Sequence, residues 1–412
     1  MENSAAGLAA RRGAAELLAA ILLEEQSMGD AITVLDDLPP PEKARARSLA
    51  LTVLRHLGRI DGLLQSYLKD APPPAPLMAL RIAVAEMLVE EVAPHAAVDQ
   101  AVALTRDLGA PGMSGLVNAV ARKISREGPA KWAKLPPSHL PAVLAGPIKK
   151  AWGKPALKGI EAAHERGAPL DITVKSDAEG WAERLGGTLT PTGSVRLSRA
   201  QVTALPGYDD GDWWVQDAGA ALPAQMVPDL KGARVLDLCA APGGKTMQMV
   251  AMGAEVTAVD SVHPRLRRMQ ANLDRTGLDA EMILADATEW TPGGAFDLIL
   301  LDAPCSATGT IRRHPELPFL KDLEDIRPLL ELQKTLLTRA AGWLKPGGDL
   351  IYCVCSLLPA EGEKQVAASD LTARETALCP DWQIAPGQIR ARPDYWPEIG
   401  GIDGFFMARL TV

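Results

Sequence analysis

Two cysteines and a set of acids stand where short apolar runs end. Asp302-Ala-Pro-Cys305 follows Leu298-Ile-Leu-Leu301, and Cys355-Ser356 follows Leu350-Ile-Tyr352. A carboxylate two residues before a loop-stiffening proline can hold a substrate hydrogen bond. A strand-end thiol facing the same crevice is a candidate nucleophile, provided its pKa falls far enough to give thiolate. Most lone cysteines are small buried hydrophobes, and Cys239, Cys353 and Cys379 suit that reading. Cys353 lies two residues before Cys355, on the same strand face if the strand continues, so spacing alone does not separate them. Asp237, Asp260 and Asp286 also fall near the ends of apolar runs. Arg312-Arg-His-Pro-Glu316 follows the Asp302 loop; arginine forks suit phosphate, and substrate contact is expected there. A zinc site needs three or four His or Cys ligands at metal spacing. None of the six histidines pairs with these cysteines in that way, so no metal is expected.

The stretch that must position these groups is Arg234 to Thr246. Val235 to Leu238 reads as a buried parallel strand. Gly243 and Gly244 let the backbone turn tightly and approach a ligand, and a helix is expected from Lys245 onward. Strand, turn and helix N-terminus form a cofactor cradle at the carboxyl end of a strand. Glu255-Val-Thr-Ala-Val-Asp260 is a second strand ending in an acid, 23 positions after Asp237. That is close to the roughly 20-residue spacing at which an acid meets a ribose hydroxyl pair. The loop is neither G-x-G-x-x-G nor a Walker A loop, since Cys239 stands where the first Gly would be. A nucleoside-bearing cofactor is expected.

From Gly207 the pattern is strand–helix alternation, with strands ending near Leu238, Asp260, Leu284, Leu301 and Cys355. That predicts an open, mostly parallel α/β sheet over 206–412, with ligands outside the carboxyl ends of its strands. Residues 1–127 read as a bundle of short helices: Ala9 to Glu25, Lys43 to Leu57, Leu77 to Glu91, Ala97 to Leu108 and Gly115 to Arg126. Gly128 to Pro147 is Pro-rich and marks a boundary. Ile148 to Arg166 reads as a basic helix, and two short strand patterns follow, so 128–205 is expected to be a small α+β module.

With 412 residues and 47% hydrophobic content, the chain can fill two or three cores. No apolar run reaches about 18 residues, and the start lacks a signal-peptide pattern. Five cysteines without a C-x-x-C pair suit a cytoplasmic protein with free thiols. The net charge of −8 does not suggest a nucleic-acid binder, yet residues 131–175 hold seven Lys and one Arg against three acids. A basic middle beside acidic flanks can act as an electrostatic footprint.

Taken together, Leu-Cys-Ala-Ala-Pro-Gly-Gly-Lys-Thr (238–246), Asp-Ala-Pro-Cys-Ser (302–306), Ile-Arg-Arg-His-Pro-Glu (311–316), Cys-Ser-Leu-Leu-Pro-Ala-Glu (355–361) and Asp-Gly-Phe-Phe-Met-Ala-Arg-Leu (403–410) resemble the RsmB (also Sun or Fmu) family of 16S ribosomal RNA cytosine-5 methyltransferases. Pro94-His-Ala-Ala-Val-Asp-Gln-Ala-Val102 and Gly115-Leu-Val-Asn-Ala-Val120 resemble the NusB-like RNA-binding domain of that family. The resemblance implies an N-terminal all-α bundle, a Rossmann-like methyltransferase domain and S-adenosyl-L-methionine as cofactor. It implies that Cys239, Ala240, Ala241, Pro242, Gly243, Gly244 and Lys245 line the cofactor, with Arg265 on the same side. Asp260 would take the ribose hydroxyls, Asp286 the adenine side, and Asp302 the methionine end together with the base. Cys355 would be the nucleophile and Cys305 the second cysteine, which resolves the covalent adduct. The implied partner is 16S rRNA, with the protein acting as a monomer away from membranes; tRNA as substrate, or a non-catalytic NusB-like assembly role, are the alternatives. Three positions depart from the family pattern: Val354 replaces Thr, Ala307 replaces Gly, and Ile172-Thr-Val-Lys175 lacks the usual Arg-Val-Asn. The last change bears on RNA contact rather than on methyl transfer.

Overall fold

The computed structural model describes residues 2–198, 200–320 and 325–412. It forms two compact units. One comprises the described parts of Met1–Gly146, Leu157–Gly167 and Ile311–Glu324; the other comprises Pro147–Ala156, Ala168–Thr310 and Asp325–Val412.

The first unit is helical. Its main helices are Glu2–Glu24, Pro40–Arg55, Leu57–Gln65, Pro74–Leu88, Pro94–Asp107 and Ser114–Trp132. Three of them open on proline, whose fixed φ suits a first helical turn and whose missing N–H costs nothing there. Leu17, Ile21, Leu49, Val53, Ile60, Leu80, Val84, Leu104, Val117 and Ile124 are all buried in one core. Two features differ from the sequence expectation. Leu57–Gln65 is an additional helix, set off by His56 at φ −104°, and its Leu57, Ile60, Leu63 and Leu64 are buried. The last helix continues through Gly128 and Pro129, where a boundary was expected. Trp132, three residues beyond the proline, packs against the core at the end of this helix.

The second unit holds two sheets. The smaller has strands β1 (Leu170–Val174), β2 (Thr188–Leu189), β3 (Val195–Leu197) and β4 (Trp213–Val215), in the order β2-β3-β1-β4. Ile172 is fully buried there in a small apolar core, opposite Val195 and Val215 in the register; the departures from the family pattern lie beside it, over 173–175.

The larger sheet has β5 (Arg234–Leu238), β6 (Glu255–Asp260), β7 (Glu281–Leu284), β8 (Phe296–Asp302), β9 (Leu344–Val354), β10 (Thr372–Ala373), β11 (Gln383–Ala385), β12 (Gln388–Ala391) and β13 (Phe405–Thr411). Its order is β11-β12-β13-β9-β8-β5-β6-β7, with β10 also on β13. β7, β6, β5, β8 and β9 run parallel, whereas β10 to β13 are antiparallel additions. The sheet is therefore mixed rather than mostly parallel. Alternate residues feed two cores. Leu236, Leu238, Ile299, Leu301, Tyr352 and Val354 point into one, and Val235, Leu298, Leu300, Ile351 and Cys353 into the other. Register sets the site: Leu238 lies beside Leu301 and Val259, and Asp302 beside Cys353. The carboxyl ends of β5, β6, β8 and β9 thus reach one edge, where ligands bind in open α/β sheets.

Candidate functional site

The loop after β5 has the backbone its sequence demands. Cys239 sits at φ +60° and Gly243 at φ +96°, both left-handed. A Cβ at Gly243 would lie 2.8 Å from Met269 Cγ, so only glycine fits the turn. Asp260 is buried and braces the loop: its Oδ2 accepts from Ala241 N at 3.1 Å and its Oδ1 from Val262 N at 3.0 Å. Arg265 donates to Ala241 O and stands 3.5 Å from Asp260. Asn272 donates to Pro242 O at 3.0 Å. The helix Gly244–Ala251 then starts with its N-terminus at the loop.

Behind the loop, Asp237 is almost wholly buried. Its Oδ2 accepts from Thr246 Oγ1 at 2.5 Å, while its Oδ1 has no hydrogen-bond partner. Burial pushes its pKa up to about 7, against the pull of Thr246 and Lys245. The Cys239 thiol is pushed up to about 12 by burial and by Asp302, Asp260 and Asp237, which makes it inert. Asp286 differs from the other strand-end acids. It is exposed, and its Oδ1 accepts from Thr288 N and Oγ1 at 2.8 and 2.7 Å, bonds that lower its pKa.

The ends of β8 and β9 carry the sulfurs. Lys245 Nζ reaches from the cofactor loop to Asp302 Oδ2 at 2.7 Å. Burial alone would lower the lysine's pKa, but Asp302 outweighs it and the ammonium is held firmly protonated. Asp302 keeps 30% of its side chain exposed, so it opens onto the crevice. Cys353 donates to Asp302 Oδ1 at 3.6 Å, fully buried; burial and that carboxylate hold its thiol well above the usual range. β9 stops at Val354, and Cys355 leaves the strand. Its sulfur lies 3.5 Å from Cys305 Sγ, and both residues are half-buried. The hydrogen bond with Cys355, then burial, pushes the Cys305 pKa well up, so Cys305 keeps its proton; either sulfur can be the donor in the contact between them. Backbone bonds from Ala303 N to Cys353 O (3.0 Å) and Gly309 N to Cys355 O (2.9 Å) tie the two loops. The structure thus separates the two cysteines that spacing left equivalent.

One expectation is overturned in part. Arg312 has no exposed surface and lies in the helical unit, so its fork is not offered to a phosphate. Arg313 beside it is exposed. Cys379, half-buried beside the second core and pushed up to about 11 by burial, is a packing residue. The sequence reading also missed the Lys245–Asp302 pair and the unpartnered oxygen of Asp237. A lysine closing a glycine turn opposite a strand-end acid was the available signal for the pair.

A parallel strand array whose acid-tipped ends surround a Gly-Gly turn, with two facing sulfurs, defines a Rossmann-like methyltransferase fold. Comparison with known proteins narrows this. Residues 225–411 match the family described as 16S rRNA methyltransferase RsmB/F, and residues 8–126 match the NusB family. The chain is 35% identical to ribosomal RNA small subunit methyltransferase B of Xanthomonas campestris pv. campestris, across 99% of this chain and 98% of that protein. It is 34% identical to the protein of that name from Pseudomonas syringae pv. tomato, across 97% and 96%. Among solved structures, PH0851 is similar with TM-score 0.73 and 22% identity, covering 98% of this chain and 99% of that one. A methyltransferase homologue from Pyrococcus horikoshii has TM-score 0.54 and 27% identity, covering 65% and 94%. The chain belongs to the RsmB/F family of 16S rRNA methyltransferases. Among the described residues no helix is long and apolar enough to cross a membrane, and no cluster of three His, Cys, Asp or Glu is arranged around a metal.

Proposed function

We propose that this protein transfers a methyl group from S-adenosyl-L-methionine to carbon-5 of a cytosine in 16S rRNA, through a transient bond between Cys355 and carbon-6. The observation that carries the reading is the 3.5 Å approach of the Cys305 and Cys355 sulfurs beside the Lys245–Asp302 pair. The relatives named for the small-subunit RNA support the substrate.

The cradle suits the cofactor. That molecule carries a cationic sulfonium, an ammonium and a ribose diol, and here Asp237, Asp260 and Asp302 supply acceptors, with one oxygen of Asp237 unpartnered. Asp260 would take the diol, Asp302 the methionine end, and Asp286 the adenine side. Residues Cys239 to Lys245, with Arg265, would shape the pocket. The bound cofactor supplies an electrophilic methyl group.

The chain's own residues do the rest. Carbon-5 of cytosine is a poor nucleophile. Addition of the Cys355 thiolate to carbon-6 makes it enamine-like, so it can accept a methyl. The thiol hydrogen bond from Cys305 stabilises that thiolate. Asp302 orients the base by a hydrogen bond to the ring edge, and Lys245 holds Asp302 in place. After methyl transfer, a base removes the carbon-5 proton and the Cys355 sulfur leaves from carbon-6. Cys305 stands next to both events. The target base must be unstacked to reach the strand ends, and the helical module over 1–127 would grip the surrounding RNA.

The test is tritiated methyl transfer from the cofactor to unmethylated 16S rRNA, with tRNA in parallel and Cys355→Ser as control. The expected result is 5-methylcytosine in rRNA that disappears with Cys355→Ser. Label in tRNA alone would overturn the substrate. Cofactor binding without transfer to naked rRNA or to small subunits would return the chain to a binding role.

A further inference from the structure

Glu361 has no role in the chemistry above, yet it is completely buried between the two cysteine loops. Its Oε1 accepts from Ser306 N at 2.8 Å and from Gln333 Nε2 at 3.1 Å. Its Oε2 accepts from the hydroxyls of Ser306 and Ser356, both at 2.5 Å. Two carboxylate oxygens offer about four acceptor sites, and all are used. The two serines are the residues immediately after Cys305 and Cys355. They lie 3.2 Å apart, and Thr308 Oγ1 completes the cluster at 3.3 and 3.2 Å from them. Gln333 also donates to Pro304 O at 2.8 Å, just before Cys305. The backbone of Glu361 is fixed in turn, since Tyr352 of β9 donates its hydroxyl to Glu361 O at 2.6 Å.

A buried carboxylate is an expensive way to fill space, and an apolar side chain of similar size is often at least as stabilising. What it supplies here is shared geometry. One anion takes a hydrogen bond from each loop, and charge-assisted bonds of this kind are short and directional. The sulfurs are thereby held one residue away from a common anchor.

We propose that Glu361 is a positioning residue for methyl transfer, acting through Ser306 and Ser356 to hold the sulfurs of Cys305 and Cys355 at the separation the reaction uses. The inference rests on the cytosine reading above. Its physical scale is that of misplacement: a shift of about 1 Å in a reacting group can cost on the order of a hundredfold in rate.

The test compares the full chain carrying Glu361→Gln, Ser306→Ala, Ser356→Ala and both serine changes together, on unmethylated 16S rRNA. kcat, KM for each substrate and thermal melting are measured. Glutamine keeps one acceptor oxygen, so it cannot accept from the two hydroxyls on one side and from Ser306 N and Gln333 Nε2 on the other at the same time. Each serine variant is expected to lower kcat about tenfold with both KM values unchanged. The double serine variant should fall no further than Glu361→Gln, and adding it to Glu361→Gln should change nothing more, because all act through one carboxylate. A folded Glu361→Gln protein with kcat within about twofold of wild type would overturn the inference. So would serine effects that multiply fully on top of Glu361→Gln, or a lowered melting temperature with kcat unchanged throughout. If Glu361→Gln does not fold, the serine variants, which keep the carboxylate, decide the question by the same kcat criterion. A wild type that binds RNA and cofactor but transfers no methyl group overturns the cytosine reading and this inference together; an active wild type with indifferent serines overturns this inference alone.

Discussion

Asp237 on the cofactor side and Glu361 on the cysteine side are both buried carboxylates, but only one of them is satisfied. Asp237 keeps an oxygen without a partner and a pKa raised to about 7 by burial, whereas Glu361 has four donors on its two oxygens. An unpaired buried acceptor costs about 1–3 kcal/mol, and a filled one does not. On the proposed function, the cofactor wall is therefore incomplete by itself and would improve when a cationic ligand arrives. The cysteine wall is finished beforehand. A mobile, exchangeable cofactor needs the first arrangement, and a nucleophile that must meet one ring atom needs the second.

Substitutions on the two walls should separate along that line. The largest effect is expected from Cys355→Ala, which should lower methyl transfer by at least about 10⁴-fold while cofactor affinity stays within about twofold. A calorimetric titration checks the second half; a large loss of cofactor affinity would mean that the walls are not independent. Next is Cys305→Ala. Turnover should fall by about 10²-fold or more, and a protein–RNA adduct through Cys355 should accumulate as a slow band on a denaturing gel. Absence of that band would remove Cys305 from the release step.

Asp237→Asn should do the reverse, weakening cofactor binding by about tenfold or more and leaving adduct formation at saturating cofactor nearly intact. It also carries a pH signature. The folded pKa near 7 lies above the ordinary carboxyl value of about 3.9, so between these values the folded protein holds a proton that the unfolded chain has released. Stability therefore falls as pH rises from about 4 to about 7. Without cofactor, Asp237→Asn should melt higher than wild type at pH 8, by about 1–3 kcal/mol, and similarly at pH 4.5. Equal melting curves at both pH values would show that the carboxylate is relieved by something other than a ligand. The smallest catalytic effect is expected from Cys353→Ala, with activity within about threefold and a loss of about 1–2 kcal/mol of stability from the buried sulfur. A deep loss of activity would instead put Cys353 in the site.

Much of the catalytic half was legible because its strands are continuous apolar runs closed by turns and acids. Val235 to Leu238 and Leu298 to Leu301 lie in the sheet core, as a buried parallel strand requires. β10, β11 and β12 were not legible. They are two to four residues long, and partner strands rather than their own pattern define them. Cys353 and Cys355 could not be told apart by period, since the answer depends on where β9 stops. The burial of Arg312 had no local sign at all, because nothing in Ile311 to Glu316 shows which unit that segment joins. The serines after Cys305 and Cys355 were in plain view, but their common acceptor lies five residues beyond one of them and 55 beyond the other.

Residues 311–320 complete the helical unit, where Phe319 packs against its core, although they follow β8 in the chain. During synthesis the N-terminal helices leave the ribosome first, but the patch meant for Phe319 stays bare until β5 to β8 have been made. The helical unit is therefore completed only while the sheet is still being made, rather than before it as in a simple string of domains. A nascent chain stalled before residue 311 would display that apolar patch, which makes it a ready client for chaperones.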